Sequence, residues 1–225
     1  MANHVRGHIS YLRNGVETGR EWFERIDHPQ TGASTLRAFC EMDDAALTRD
    51  VTYFLDAFSR PVDAFCRVTT GGAIKGTALF LSDDAGLHCE ARMADLGRIS
   101  QNLPLDEPAA YLGLHPLVGD ALVAPLRGTS RRGEFVPVHG VTNSISPNGD
   151  QGLYAMPVTI DAAWLGREPV TVPAGTFDAD RYALRWHEDW PPADLWVHGP
   201  RATFVQMTWD MVGARYELAE ISGNT

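Results

Sequence analysis

Apolar and polar residues alternate with a period of two along most of the chain, in runs of about 8–12 residues bounded by turn formers, a pattern that predicts antiparallel strands. Asn14-Gly15 is the sharpest turn signal, because a type I′ turn requires positive φ at both central positions, and it should join strands near 4–13 and 16–27. Further turns are predicted at 28–32, Asp43-Asp44, 59–61, Gly71-Gly72 and 82–86. Between them Leu36, Ala38, Cys40 and Met42 share one face, as do Val51, Tyr53, Leu55 and Ala57 in 50–58, and Val62, Ala64, Cys66 and Val68 in 61–69. Each strand thus offers an apolar face to a common core.

The rhythm breaks over about 94–133, where Pro104, Pro108, Pro116 and Pro125 interrupt a moderately apolar stretch. This predicts a long connection with a short helical insert near 109–126, starting at Pro116 because proline suits a first helical turn. Its apolar content favours a packed lid or plug over a linker, and connections this long are commonly functional. Strands should resume near 134–142, 151–161, 167–173, 176–187, 194–199, 202–211 and 214–221. About a dozen strands with one helix make an all-β chain, read as a single domain over 1–225. A sandwich is an alternative, but a sheet this long curls to hide its edges, which predicts an open or closed β-barrel. Curled sheets enclose cavities, so a ligand pocket is expected at the barrel mouth.

Composition narrows the function classes. The 225 residues are ordinarily globular, and a net charge of −10 with no long basic stripe argues against a nucleic-acid partner. Lys75 is the single lysine; it follows Gly71-Gly72, where a turn would keep its amine solvated and poorly suited to Schiff-base chemistry. Cys40, Cys66 and Cys89 form no CxxC pair and read as small buried hydrophobes. No apolar run reaches the roughly 20 residues that span a bilayer, and Met1-Ala-Asn-His-Val lacks the features of a secretory signal, so a cytoplasmic protein with no membrane partner is expected. Walker, GxGxxG and GxSxG motifs are missing, which removes the dinucleotide, kinase and α/β-hydrolase classes.

In the last third, Val170-Thr-Val-Pro-Ala-Gly-Thr-Phe-Asp-Ala179, then Leu195-Trp196-Val197 and Tyr216-Glu-Leu218, resemble a bacterial family of unknown function with a lipocalin-like open β-barrel, in which a V-P-A-G-T-F-x-A hairpin precedes the final strands. The resemblance implies a barrel fold. The motif is a hairpin signature, with Gly175 allowing the turn and Phe177 filling the core, and it carries no catalytic residue across. The family's better-known members are exported and handle lipidic or envelope material, whereas this chain shows no export signal, so a small apolar or aromatic molecule is the expected ligand.

The candidate chemistry is scattered. His115 and Asp120 flank the start of the predicted helix, and a histidine with a carboxylate is the standard general base with its orienter; the alternative, which the sequence favours, is that His115 caps or packs and Asp120 is solvated. His187 and His198 accompany Trp186, Trp190, Trp196 and Trp209, aromatics that suit either a heavy core or a pocket for a ring-bearing ligand. Strand alternation through 178–188 places Trp186 and His187 on opposite faces. His139, Asn143 and Tyr154 are further polar groups for a barrel mouth, where Tyr or Asn could donate to a developing oxyanion. Of eight histidines, His4 and His8 would stand about 13 Å apart on a strand, and there is no HExxH or Cys/His cluster, so neither metal nor other cofactor is expected.

Two functions follow. The first is a cofactor-independent lyase, isomerase or hydratase using His115, Asp120, His139, Tyr154, His187 or His198 for acid–base catalysis, with Asn143, Trp186, Trp196 and Trp209 holding a small hydrophobic or aromatic molecule. The second is a non-catalytic carrier of a lipid-like or aromatic ligand. Oligomeric state is open.

Overall fold

A computed structural model describes residues 3–151 and 153–223; Met1 and Ala2 of the N-terminal segment lie outside them. Eight strands form an antiparallel meander: β1 (His4–Arg13), β2 (Val16–His28), β3 (Ala33–Met42), β4 (Leu47–Leu55), β5 (Pro61–Thr70), β6 (Ala73–Asp83), β7 (Gly86–Met93) and β8 (Gly97–Pro104). An insert follows with a two-residue strand β9 (Leu112–Gly113) and two short helices, α1 (Leu117–Asp120) and α2 (Val123–Arg127). Six strands complete the chain: β10 (Val136–Thr142), β11 (Met156–Val172), β12 (Gly175–Arg185), β13 (Ala193–His198), β14 (Thr203–Trp209) and β15 (Ala214–Ser222). All fifteen belong to one curved sheet, ordered β8 through β1, then β15 down to β9, so the first and last long strands pair with each other while β8 and β9 are its two edges.

Local chemistry sets the register. Asn14 (φ 52°) and Gly15 (φ 77°) both take the positive φ that a type I′ turn demands, joining β1 to β2. In β4 every second residue from Leu47 to Leu55 is buried, and the same alternation in β3, β5 and β7 lays Leu36, Ala38, Cys66 and Cys89 on the inner face. Two positions depart from the expected faces. Ala57 lies in the turn after β4, and Val62 is a bulge residue, because Leu55 pairs with Pro61 while Phe54 pairs with Asp63. Lys75 falls within β6 rather than in the turn before it.

The connection predicted over 94–133 is shorter, since β8 occupies its first part. Gly97–Pro104 turns only Ile99 and Leu103, either side of polar Gln101, half-buried toward the core, so its alternation is weak. The strands expected at 151–161 and 167–173 are one, β11, bent by a bulge between Trp164 and Gly166. The expected helix is split into α1 and α2, with Pro116 capping the first at ψ 142°. The insert enters the barrel interior: Leu114, Ala121 and Val123 are fully buried in the same cluster as Val51, Phe80, Leu184 and Leu195. Each large side chain so buried contributes about 1.5–3 kcal/mol.

Candidate functional site

The site begins with two charged residues at inward positions. Glu21 lies between inward-facing Gly19 and Phe23 on β2, and Arg49 between Leu47 and Val51 on β4; both are buried. Glu21 accepts hydrogen bonds from the Tyr11 hydroxyl (2.8 Å) and from the backbone N–H of Leu117 (2.8 Å) and Val118 (3.1 Å), with the Cys40 thiol at 3.6 Å. Two donors from α1 and two from β1 and β3 converge on one carboxyl group and hold α1 against the sheet. Burial pushes Glu21 upward while these donors pull it back.

Fixed in this way, α1 presents Asp120, whose Oδ1 accepts from the Tyr111 hydroxyl at 2.7 Å. Burial, aided by the nearby Glu21, pushes the Asp120 carboxyl up to about 7. His115 sits just before α1 at φ 71°, and its Nε2 lies 3.2 Å from the Ser144 carbonyl. A carbonyl only accepts, so Nε2 carries the proton and Nδ1 keeps a lone pair. Burial and the neighbouring Arg49 push His115 down to about 3, so it is neutral. Arg49 donates to the carbonyls of His115 (3.4 Å) and Asn148.

These groups line a cavity of about 460 Å³, within the range of small-molecule sites. Asp120, Tyr111, His115 and Arg49 form its polar side, Ile145–Asn148 of the β10–β11 connection contributes a wall, and Trp186, Trp190, Trp209 and Tyr216 supply aromatic surface. Ring centroids of Trp186 and Trp209 are 5.2 Å apart, and those of Trp190 and Trp209 are 5.8 Å apart. Trp209 is anchored by its indole N–H to the Pro191 carbonyl at 2.9 Å. A larger trough of about 700 Å³ lies on the outer face around Trp22 and Phe39, away from these groups.

The cavity brings together five of the predicted site residues, His115, Asp120, Trp186, His187 and Trp209. Trp186 and His187 both line it because β12 ends at Arg185, so strand alternation does not extend to them. The other five lie elsewhere. His139 is exposed on β10 and bonds to the Thr159 hydroxyl (3.1 Å); His198 bonds to the Asp178 carbonyl (2.8 Å) and leans on Phe177. Trp196 gives its indole N–H to Glu168 (2.7 Å) beneath the Arg181 guanidinium. Tyr154 packs on the core, and Asn143 is buried beside Cys66 (3.5 Å). Arg49, Glu21 and Tyr111 were not singled out, although a charge at an inward register position marked the first two. Among the described residues no three His, Cys, Asp or Glu side chains cluster as metal ligands would.

No protein-family model matches the chain, and no curated protein matches it. Among solved structures it is similar to a β-barrel-like protein of a domain of unknown function, DUF1849, from Brucella abortus, with 12% identity, coverage of 100% of this chain and 98% of that one, and a TM-score of 0.54. A DUF1089 family protein from Pseudomonas aeruginosa aligns over 91% of this chain and 90% of its own at 13% identity and TM-score 0.46. A protein described as exported, with a YmcC-like fold, from Bacteroides fragilis aligns over 97% and 95% at 12% identity and TM-score 0.37. The chain therefore shares the overall fold of a β-barrel-like domain of unknown function along its whole length.

Proposed function

We propose that the protein is a cofactor-independent enzyme, an isomerase, lyase or hydratase, that moves a proton on a small hydrophobic or aromatic molecule held in the barrel cavity. The observation that carries this reading is the Asp120–Tyr111 pair, a 2.7 Å hydrogen bond on the wall of a cavity that also exposes tryptophan faces. A carboxyl that titrates near 7 takes and returns a proton at neutral pH with little mismatch, which is what general acid–base catalysis requires. Neutral His115 offers a second acceptor at Nδ1. The hairpin Val170–Ala179, which resembles that of the lipocalin-like family, and the three unbridged buried cysteines suit a ligand-enclosing barrel in a reducing compartment, which we take to be the cytoplasm.

The test is incubation in D₂O with a panel of small aromatic and terpenoid alcohols, aldehydes, ketones and acids, read by mass spectrometry. Catalysis incorporates deuterium into at least one compound or changes its mass, and Asp120→Asn slows that reaction by about 10²–10⁴-fold. Quenching of the cavity tryptophans with no exchange and no mass change in any compound would overturn the enzyme and establish the carrier.

A further inference from the structure

Arg49 has a deficit that the described residues do not fill. A guanidinium carries five N–H donors and cannot shed its charge. Here it is 2% exposed, two of its nitrogens reach only the backbone carbonyls of His115 and Asn148, and its buried Nε has no partner. Among the described residues, no carboxylate lies within ion-pair distance of it. Glu21, the buried acid on a nearby strand, is already occupied by Tyr11, Leu117, Val118 and Cys40. Glu21 and Asp120 act on the guanidinium only at longer range; a buried cation with no carboxylate bonded to it is costly, and the cavity it lines gives an anion a place beside it.

We propose that the ligand of this cavity is an organic carboxylic acid, bound as its monoanion with the carboxylate on Arg49 and an aromatic or prenyl body against Trp186 and Trp209. The proposal names the substrate class of the enzyme argued above and rests on that assignment of the site. A carboxylate supplies the charge-assisted acceptor that backbone carbonyls cannot, and a guanidinium is the side chain best shaped to hold it. Its negative charge would also favour the protonated form of Asp120, turning that group into a donor toward the ligand. Gly149, at φ 63°, lets the β10–β11 connection pass directly over Arg49 and His115, since a Cβ there would overlap the His115 ring. The wall that closes the cavity is thereby seated on the residue that recognises the anion.

The experiment compares 3-phenylpropanoate with its neutral isostere 3-phenylpropanamide by quenching of tryptophan fluorescence. The acid should bind about ten-fold more tightly or better, and this ratio of acid to amide affinity should vanish in Arg49→Met. Arg49→Lys, which keeps the charge and loses the fork, should retain part of the preference, and it serves if Arg49→Met fails to fold. Equal binding of acid and amide by the unaltered protein, or an acid preference that survives in Arg49→Met, would overturn the proposal. Because binding is read without turnover, a carrier of organic acids would keep this result while failing deuterium exchange. An enzyme on neutral molecules would do the reverse.

Discussion

Asp120 and His115 share one cavity wall yet are displaced from their ordinary titration ranges in opposite directions, and the signs have separate consequences for stability. Asp120 is raised to about 7 in the folded protein, so as pH rises from its unfolded value of about 4 the unfolded chain releases a proton that the folded one retains, and stability falls. His115 is lowered to about 3, so its contribution is complete above about 6.5 and is lost as pH falls toward 3. Between about pH 4 and 6.5 the two slopes oppose each other, each at most about 1.4 kcal/mol per pH unit. The folded protein should therefore change little in stability over that range on account of this pair. Removing one partner uncovers the other: Asp120→Asn should gain stability with rising pH, and His115→Asn, which tolerates the positive φ, should lose it. Urea midpoints at about pH 4.5 and 6.5 would read the slopes, and two variants that both track the parent would refute the opposing shifts.

The elements explain why these residues meet. β9 is only two residues long, yet its parallel pairing with β10 brings Tyr111 to Asp120. The close approach depends on Gly140 in β10, where a Cβ would run into the Tyr111 backbone oxygen and lie 2.9 Å from its Cβ. Gly140→Ala should cost about 1–3 kcal/mol by denaturant unfolding and should impair proton exchange through a displaced Tyr111; unchanged stability would mean that β9 shifts freely. Strand alternation made most of β1–β7 and β12–β15 legible in the sequence, because each buries one face and exposes the other. It failed where only one of those conditions holds. β8 turns only half-buried Ile99 and Leu103 toward the core, with polar Gln101 between them, and Trp186 and His187, just beyond β12, no longer obey the period that had set them apart. Arg49 and Glu21 were written in the sequence as charges at apolar positions of otherwise regular strands, but the carbonyls of His115 and Asn148 and the N–H groups of Leu117 and Val118 that they bind lie 66 to 99 positions away, which no local pattern contains.

For the whole molecule, the open edges pose the physical problem. The sheet runs from β8 to β9 with no backbone ladder between them, so the barrel must be held by something other than strand pairing. The described residues of the β10–β11 connection meet this need by crossing the inner face strand by strand. Asn148 is held by Arg49 on β4, Asn143 touches Cys66 on β5, Leu153 packs over Gly76 on β6, and Ala155 is gripped by Gln101 on β8. The last contact is the outermost: the Gln101 amide accepts from the Ala155 N–H at 2.8 Å and donates to its carbonyl at 3.4 Å, imitating a strand neighbour with one side chain. Ala155 is buried, so Gln101→Ala strands both backbone groups and should cost about 1–3 kcal/mol. The loss should be local. Hydrogen exchange should accelerate over 143–155 and β8 while β1–β4 keep their protection, and ligand affinity should fall because Ile145–Asn148 wall the cavity. Uniform acceleration across the sheet would instead mean that the connection is part of one cooperative unit with the barrel, and that opening the cavity requires unfolding the protein.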